Sequence, residues 1–118
     1  MKSNELVEIV VGALEDIKAR DITVIEVEEM TALFDCMIIA SGDSNRQTNA
    51  LANHVQEKVK ASGRKIYGIE GAQTGEWLLV DLGDVIVHIM LPSVREHYNL
   101  EALWAAGRSA KEKQLHDQ

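Results

Sequence analysis

The chain has 118 residues, 46% of them hydrophobic, with a single proline and a formal net charge of −7. This length and composition predict one compact domain rather than a disordered chain. Affinity for nucleic acids depends largely on neutralising phosphates, so an acidic chain without a strong basic stripe is a poor candidate for direct RNA or DNA binding, and a basic protein is a better-matched partner.

Targeting and redox features favour the cytoplasm. No apolar run reaches the ~20 residues of a membrane-spanning helix. Residues 1–10 combine a short apolar run with early acidic residues, which is unlike a signal peptide. The single cysteine, Cys36, excludes an internal disulfide and lies in an apolar stretch, where a small buried side chain is expected. We therefore expect a cytoplasmic protein without membrane contact.

The first third of the chain predicts a helix followed by two strands. Residues 3–20 carry apolar side chains at helical spacing, which is typical of an amphipathic helix. Residues 21–27 and 35–41 are short apolar stretches rich in β-branched side chains. The second of these is apolar throughout its middle, so we expect it to be buried on both faces of a sheet.

A second helix begins with a local capping signal. Ser44 is followed three residues later by Gln47, the pattern of a capping box, and it predicts a helix over residues 45–62. Gly63 is suited to the position just past the end of that helix. Residues 65–70 then predict a short strand.

The last third predicts a hairpin and a short helix. Residues 76–82 and 84–91 are apolar runs separated at Gly83, and residues 81–84 (DLGD) are predicted to form a tight turn that joins them as antiparallel strands. Pro92 cannot continue a sheet ladder and is expected to end the second strand. Asn99 is expected to cap a short helix that begins at the next residue.

The resulting order, α-β-β-α-β-β-β-α, predicts an α/β or α+β fold in which helices pack on a mixed sheet. Residues 1–107 form the predicted domain, and residues 108–118 are a mostly polar C-terminal tail.

Several segments together resemble the ribosomal silencing factor family, also called the RsfS or Iojap family, over about residues 3–106. They are residues 35–44 (DCMIIASGDS), 70–71, 76–81, 87–89 (VHI) and 95–104 (REHYNLEALW). The resemblance implies a nucleotidyltransferase-like fold with a mixed five-stranded sheet but without the catalytic carboxylates. It also implies a monomer or homodimer that binds the large ribosomal subunit through large-subunit ribosomal protein fourteen. Such a factor blocks joining of the small subunit and represses translation when nutrients are short, whereas organellar relatives assist subunit assembly.

The candidate partner-binding residues lie in and after the hairpin. Both tryptophans and one of the two tyrosines fall within residues 76–104, in a chain that is only 4% aromatic, and aromatic and arginine side chains are frequent anchors of protein interfaces. The candidates are Trp77, Tyr98, Leu100, Asp81, Glu101 and Arg95. We expect Trp77 to project from the sheet face that the helices leave uncovered, and Asp81 and Glu101 to meet basic groups of a partner.

Each of these assignments has a structural alternative. Trp77 and Trp104 can be core residues, and Leu100 and Leu103 can form the inward face of the last helix. Arg95 can bridge Glu96 or Glu101 as an internal ion pair.

An enzyme is the main alternative class, namely a metal-dependent nucleotidyltransferase. Gly42 and Ser44 lie between a strand and a helix, where backbone amides can hold a phosphate. However, no close pair of carboxylates follows this helix, and Asp81 and Asp84 flank a turn, where aspartate is common. We therefore expect no catalytic, cofactor or metal residues.

The histidines and the hairpin edge complete the alternatives. No two histidines have metal-ligand spacing, and His88 is expected to be a hydrogen-bonded residue at the sheet surface. A third class, a self-associating structural module, is suggested by an exposed hairpin edge that can pair with a second copy.

Overall fold

A computed structural model describes residues 2–27 and 31–102 of the chain. The predictions for Leu103, Trp104 and the polar tail at 108–118 lie outside the described residues. The elements, in chain order, are α1 (Lys2–Asp16), β1 (Arg20–Glu26), β2 (Cys36–Ser41), α2 (Asn45–Ala61), β3 (Gly68–Glu70), β4 (Trp77–Asp81), β5 (Val85–Met90) and α3 (Pro92–Tyr98). The predicted order of helices and strands is confirmed.

The strands form one mixed five-stranded sheet in the order β1-β2-β5-β4-β3. The central pair, β2 and β5, is parallel, with Cys36 opposite Val85 and Ser41 opposite Met90. The other three pairs are antiparallel. The α+β class with a mixed five-stranded sheet, expected from the sequence, is therefore confirmed.

The centre of the sheet is buried on both faces. All six residues of β2 are buried, as its continuous apolar sequence predicts, and five of the six residues of β5 are buried as well. Alternate side chains of these strands enter the larger core, beneath α1 and α2, which includes Val10, Leu14, Ile38, Leu51, Val55, Leu78, Val80, Val87 and Ile89. Burying one such side chain fully contributes ~1.5–3 kcal/mol, so this core is the main source of stability.

The opposite face of the sheet has only a small apolar cluster. Met37, Ile39 and Met90 are buried there, and half-buried side chains of other elements pack around them, namely Ile25, Phe34, Trp77, Val94 and Leu100. The helices thus cover one face of the sheet thoroughly and the other face in part.

Hydrogen bonds at both ends of α2 match the local signals in the sequence. The Ser44 hydroxyl accepts from the backbone N–H of Gln47 at 3.1 Å, as a capping box requires. In a complete capping box the Gln47 side chain would also accept from the N–H of Ser44. Here its oxygen accepts instead from the N–H of the preceding residue, Asp43, at 2.7 Å. Gly63 follows the helix with a φ of +87°, a conformation that favours glycine.

The segment after Pro92 differs from the prediction, because α3 begins there and not after Asn99. Proline ends a strand, and it also favours the first turn of a helix, where its missing N–H is not needed. Asn99 has a left-handed backbone (φ 46°) and donates its N–H to the Arg95 carbonyl at 2.8 Å, which closes α3. Its side-chain oxygen also accepts from the N–H of Ala102 at 3.3 Å, so the predicted capping of the following helical residues is confirmed.

The hairpin has the expected strands, but its surroundings differ from the prediction. Its turn closes between Leu82 and Val85, where the Leu82 N–H donates to the Val85 carbonyl at 3.0 Å, one residue later than expected. Both hairpin strands lie inside the sheet, since β4 also pairs with β3 and β5 also pairs with β2. The expected exposed hairpin edge is therefore wrong, because the outer strands of the sheet are β1 and β3.

Candidate partner-binding site

The alternation of β4 sets the direction of the candidate residues. Leu78 and Val80 are fully buried in the core beneath the helices. Trp77, Leu79 and Asp81 alternate with them and lie on the opposite side of the sheet, where each is half-buried. We call this side, opposite α1 and α2, the aromatic face. Trp77 thus projects from the sheet face opposite α1 and α2, as predicted, but α3 covers part of this face.

Four rings form a contact group on the aromatic face. The Trp77 ring lies 4.9 Å from that of Tyr98, centroid to centroid, and 5.8 Å from that of His88, both at tilted angles. The His97 ring meets Tyr98 edge-on at 4.9 Å. Tilted aromatic contacts at these distances are favourable, so α3 and the hairpin hold each other in place through Tyr98 and Trp77. Tyr98 nevertheless remains 56% exposed, which makes it the most accessible large apolar group of this cluster.

His88 is the buried member of this group, and it fixes the position of Trp77. The Trp77 Nε1–H donates to His88 Nδ1 at 2.9 Å. Since Nδ1 accepts, the neutral imidazole carries its proton on Nε2. The side chain is only 7% exposed, and burial lowers the pKa of His88 to about 4. The expected hydrogen bond of His88 is confirmed, although the side chain is buried and not at the surface.

Arg95 connects α3 to the strands β1 and β2. Its guanidinium donates to Glu101 Oε1 at 2.7 Å, to the Ser41 hydroxyl at 3.0 Å and to the Thr23 hydroxyl at 2.9 Å. The Arg95 side chain is only 11% exposed, so its positive charge is mostly satisfied by these internal partners and is little accessible to a binding partner. The hydrogen bond from Arg95 lowers the pKa of Glu101, which keeps that carboxyl ionised. Of the two internal partners considered for Arg95, the structure thus selects Glu101.

The six predicted site residues fall into two groups. Trp77 and Tyr98 touch directly, and Asp81 lies on the same face of β4 with its Oδ1 accepting from the Gly83 N–H at 2.9 Å. Leu100 packs against the small apolar cluster, and Arg95 and Glu101 pair beside it. The roles of all six in partner binding stay predictions.

A groove beside Trp77 was missed by the sequence reasoning. It has a volume of about 350 Å³ and is lined by Glu70, Gly71, Trp77 and Leu79. Glu70 and Leu79 are direct partners across β3 and β4. The alternation of β4 around Trp77 is a sequence signal for Leu79. The strand register that places Glu70 opposite Leu79 depends on the loop between β3 and β4. No local pattern in the sequence predicts this register.

The strand-to-helix turn that suggested a phosphate site is filled by the chain's own groups. A side chain on Gly42 would meet the Thr48 methyl at 2.9 Å, and the Ser44 hydroxyl caps α2. Within residues 2–27 and 31–102, no group of three or more His, Cys, Asp or Glu side chains is placed to hold a metal ion. None of the helices in the same ranges is both long enough and apolar enough to cross a membrane.

The fold and the aromatic face define an α+β domain that presents a tryptophan–tyrosine pair on a partly covered sheet. A family model described as ribosomal silencing factor during starvation matches residues 1–118. The chain belongs to this family, the RsfS family.

Individual relatives agree with this assignment. The ribosomal silencing factor RsfS of Chromobacterium violaceum is 54% identical over 104 residues, which are 88% of this chain and 85% of that protein. A mouse protein named mitochondrial assembly of ribosomal large subunit protein 1 is 36% identical over 101 residues, 83% of this chain and 44% of the mouse protein.

The fold is likewise shared with solved structures. A crystal structure of a Chromobacterium violaceum protein superposes with a TM-score of 0.87 at 53% identity, covering 89% of this chain and 88% of that one. A crystal structure from Bacillus halodurans superposes with a TM-score of 0.79 at 34% identity, covering 86% of this chain and 94% of that one.

The low pKa of His88 predicts a loss of stability in acid. The unfolded state takes up a proton near pH 6.5 and the folded state only near pH 4, so stability is complete above pH 6.5 and falls as the pH decreases towards 4. The full effect is on the order of 3 kcal/mol. His88→Asn keeps an acceptor for the Trp77 N–H but cannot titrate. We expect urea unfolding at pH 7.5 and pH 5 to show a smaller acid loss for His88→Asn than for the parent.

The matched control for this measurement is His97→Gln, at an exposed position of α3. It should keep the acid loss of the parent. Equal acid losses in the parent and in His88→Asn would contradict the assignment of the effect to His88.

The three bonds of Arg95 predict that its role in stability depends on the guanidinium and not on charge alone. Arg95→Lys keeps the charge but cannot reach Glu101, Ser41 and Thr23 together. We expect Arg95→Lys to lower the free energy of unfolding by about 2 kcal/mol, measured by urea unfolding at neutral pH. Arg46→Lys, at an exposed position of α2, is the control and should be neutral. An unchanged unfolding curve for Arg95→Lys would show that these bonds contribute little.

Proposed function

We propose that the chain binds the large ribosomal subunit through large-subunit ribosomal protein fourteen, sterically blocks joining of the small subunit and thereby represses translation, notably under nutrient limitation. The observation that carries this proposal is the Trp77–Tyr98 pair on the aromatic face, together with membership of the RsfS family. The names of relatives give support, since bacterial relatives are named as ribosomal silencing factors and the mouse relative is named for assembly of the ribosomal large subunit.

The physical features of the aromatic face suit protein recognition. An exposed tyrosine backed by a half-buried tryptophan offers a large contact area at low entropic cost, because Trp77 is already held by His88. The net charge of −7 would attract a basic ribosomal protein and would disfavour direct contacts with RNA phosphates.

Steric occlusion needs no chemistry. A factor on the joining surface of the large subunit has only to occupy the volume that the small subunit requires and to bind more favourably than the incoming subunit. In this proposal the chain is a cytoplasmic, non-catalytic regulator without cofactors or membrane contact, active as a monomer or a homodimer. Residues 1–107 act as the binding domain and residues 108–118 as a tail.

Sedimentation with separated ribosomal subunits tests the proposal directly. The chain should co-migrate with large subunits and not with small ones, and added small subunits should form fewer joined ribosomes in its presence. Failure to co-migrate, or joining that is unaffected by saturating amounts of the chain, would refute the proposed function.

Removal of the exposed ring tests the site. We expect Tyr98→Ala to weaken binding to large subunits about thirtyfold, which corresponds to ~2 kcal/mol for an aromatic anchor. The Tyr98 ring is more than half exposed, and Arg95 anchors α3 independently of it, so the melting temperature of Tyr98→Ala should stay close to that of the parent. Affinity from sedimentation and melting followed by circular dichroism are the two measurements.

Tyr67→Ala is the matched control, since Tyr67 is 61% exposed and precedes β3 at the sheet edge, away from α3. It should bind as the parent does.

Trp77→Ala should also lose binding, but it leaves His88 without its hydrogen-bond donor. Trp77→Phe keeps a ring against Tyr98 and therefore separates the effect of packing from that of the hydrogen bond. Intact affinity of Tyr98→Ala would remove Tyr98 from the site.

A further inference from the structure

The groove beside Trp77 lies on the side of the tryptophan away from the histidine. In the sheet, β4 stands between β5, which carries His88, and β3, which carries Glu70. The Trp77 ring therefore contacts His88 towards β5 and lines the groove towards β3, and it also contacts Tyr98. Any partner that covers Tyr98 and Trp77 has this groove within the same contact area.

The backbone fixes one wall of the groove. Gly71 has a φ of +88°, and a side-chain carbon at this position would overlap the Trp77 carbonyl oxygen. The loop after β3 therefore packs directly against the Trp77 backbone, an approach that only glycine permits. As a result the groove is preformed, and a partner would spend little free energy on ordering it.

The chemistry of the lining is apolar along one side and anionic at the end. Leu79 and the Trp77 ring supply apolar surface, and the exposed Glu70 supplies a carboxylate. Among the residues that the structure describes, Glu70 has no ion pair or hydrogen bond through its side chain. None of the groove-lining residues within the described part of the chain is basic.

The two basic residues that precede β3 in the chain are engaged with other groups. Arg64 pairs with Glu5 at 3.0 Å, and the Lys65 ammonium lies 5.2 Å from the centre of the Tyr67 ring. Among the described residues the Glu70 carboxylate therefore has no cationic partner, and it is open to one from outside the chain.

We propose that this groove receives a lysine or arginine side chain of the ribosomal partner, an inference that rests on the proposed function. The aliphatic part of such a side chain would lie on Leu79 and against the Trp77 ring, and its charged end would reach Glu70. An anionic group such as a phosphate is disfavoured by the same carboxylate. The groove thus adds charge selectivity to an aromatic contact that would otherwise be largely non-specific.

Charge variants of Glu70 test this proposal with purified large subunits as the probe. Glu70→Gln keeps the shape and removes the charge, and we expect about fivefold weaker binding, the upper end for a partly exposed ion pair. Glu70→Lys places like charges together and should weaken binding about thirtyfold or more. Both losses should shrink as the salt concentration rises.

Glu8→Gln and Glu8→Lys are the matched controls for net charge, because Glu8 is exposed on α1, across the sheet from the groove. They should change affinity less than twofold. If the Glu8 variants lose as much affinity as the Glu70 variants, the effect belongs to overall charge and the groove proposal is overturned.

A second variant fills the groove from within. Leu79 faces Glu70 across the strands, so Leu79→Lys places an ammonium group beside the carboxylate and occupies the site of the partner's side chain. Leu79 is half-buried, and the new ion pair compensates for part of the lost apolar contact, so melting should change little. We expect binding to fall at least tenfold, because the groove is then occupied by the chain's own ammonium group.

The outcomes separate the two proposals. If the parent does not co-sediment with large subunits, the proposed function fails, and this inference fails with it. If the parent binds but the Glu70 and Leu79→Lys variants bind equally well with the same salt dependence, only the groove proposal is overturned. If Leu79→Lys melts well below the parent, the Glu70 variants alone decide.

Discussion

The parallel pairing of β2 with β5 is the constraint on which the rest of the structure depends. Both strands lie at the centre of the sheet and are buried almost throughout, so both faces of the sheet need apolar cover. Two long helices provide that cover on one face. On the other face the cover is a small cluster completed by α3, Trp77 and Leu100. This unequal cover leaves aromatic surface at the edge of the cluster, which is where the candidate site lies.

Because the two faces of the sheet are covered unequally, Trp77 belongs both to the core and to the surface. One part of the ring packs on the small cluster and hydrogen-bonds to His88, and another part contacts Tyr98 and lines the groove. A residue of this kind is held by the fold and also presents a surface to a partner. Arg95 supports this arrangement indirectly. Its bonds to β1 and β2 fix α3, and α3 in turn places Tyr98 against Trp77.

The sequence predicts those features that have local signals. The capping residues of α2, the two-sided burial of β2 and the alternation that directs Trp77 each depend on residues close together in the chain. The start of α3 was missed because proline has two meanings, as a strand terminator and as a first helical residue. The clamp from Arg95 to Thr23 and the groove at Glu70 depend on tertiary contacts and on strand register, for which no local pattern exists.

The strand order also determines when this protein can fold during its own synthesis. The central partner of β2 is β5, which the ribosome makes only after α2, β3 and β4. Until β5 emerges, β2 has a bare apolar edge that can pair with other chains, and the core cannot close. We expect the local β4–β5 hairpin to form quickly and its docking against β2 to be the late, slow step, because that docking closes a long loop. Almost the whole domain must therefore leave the exit tunnel before its sheet is complete.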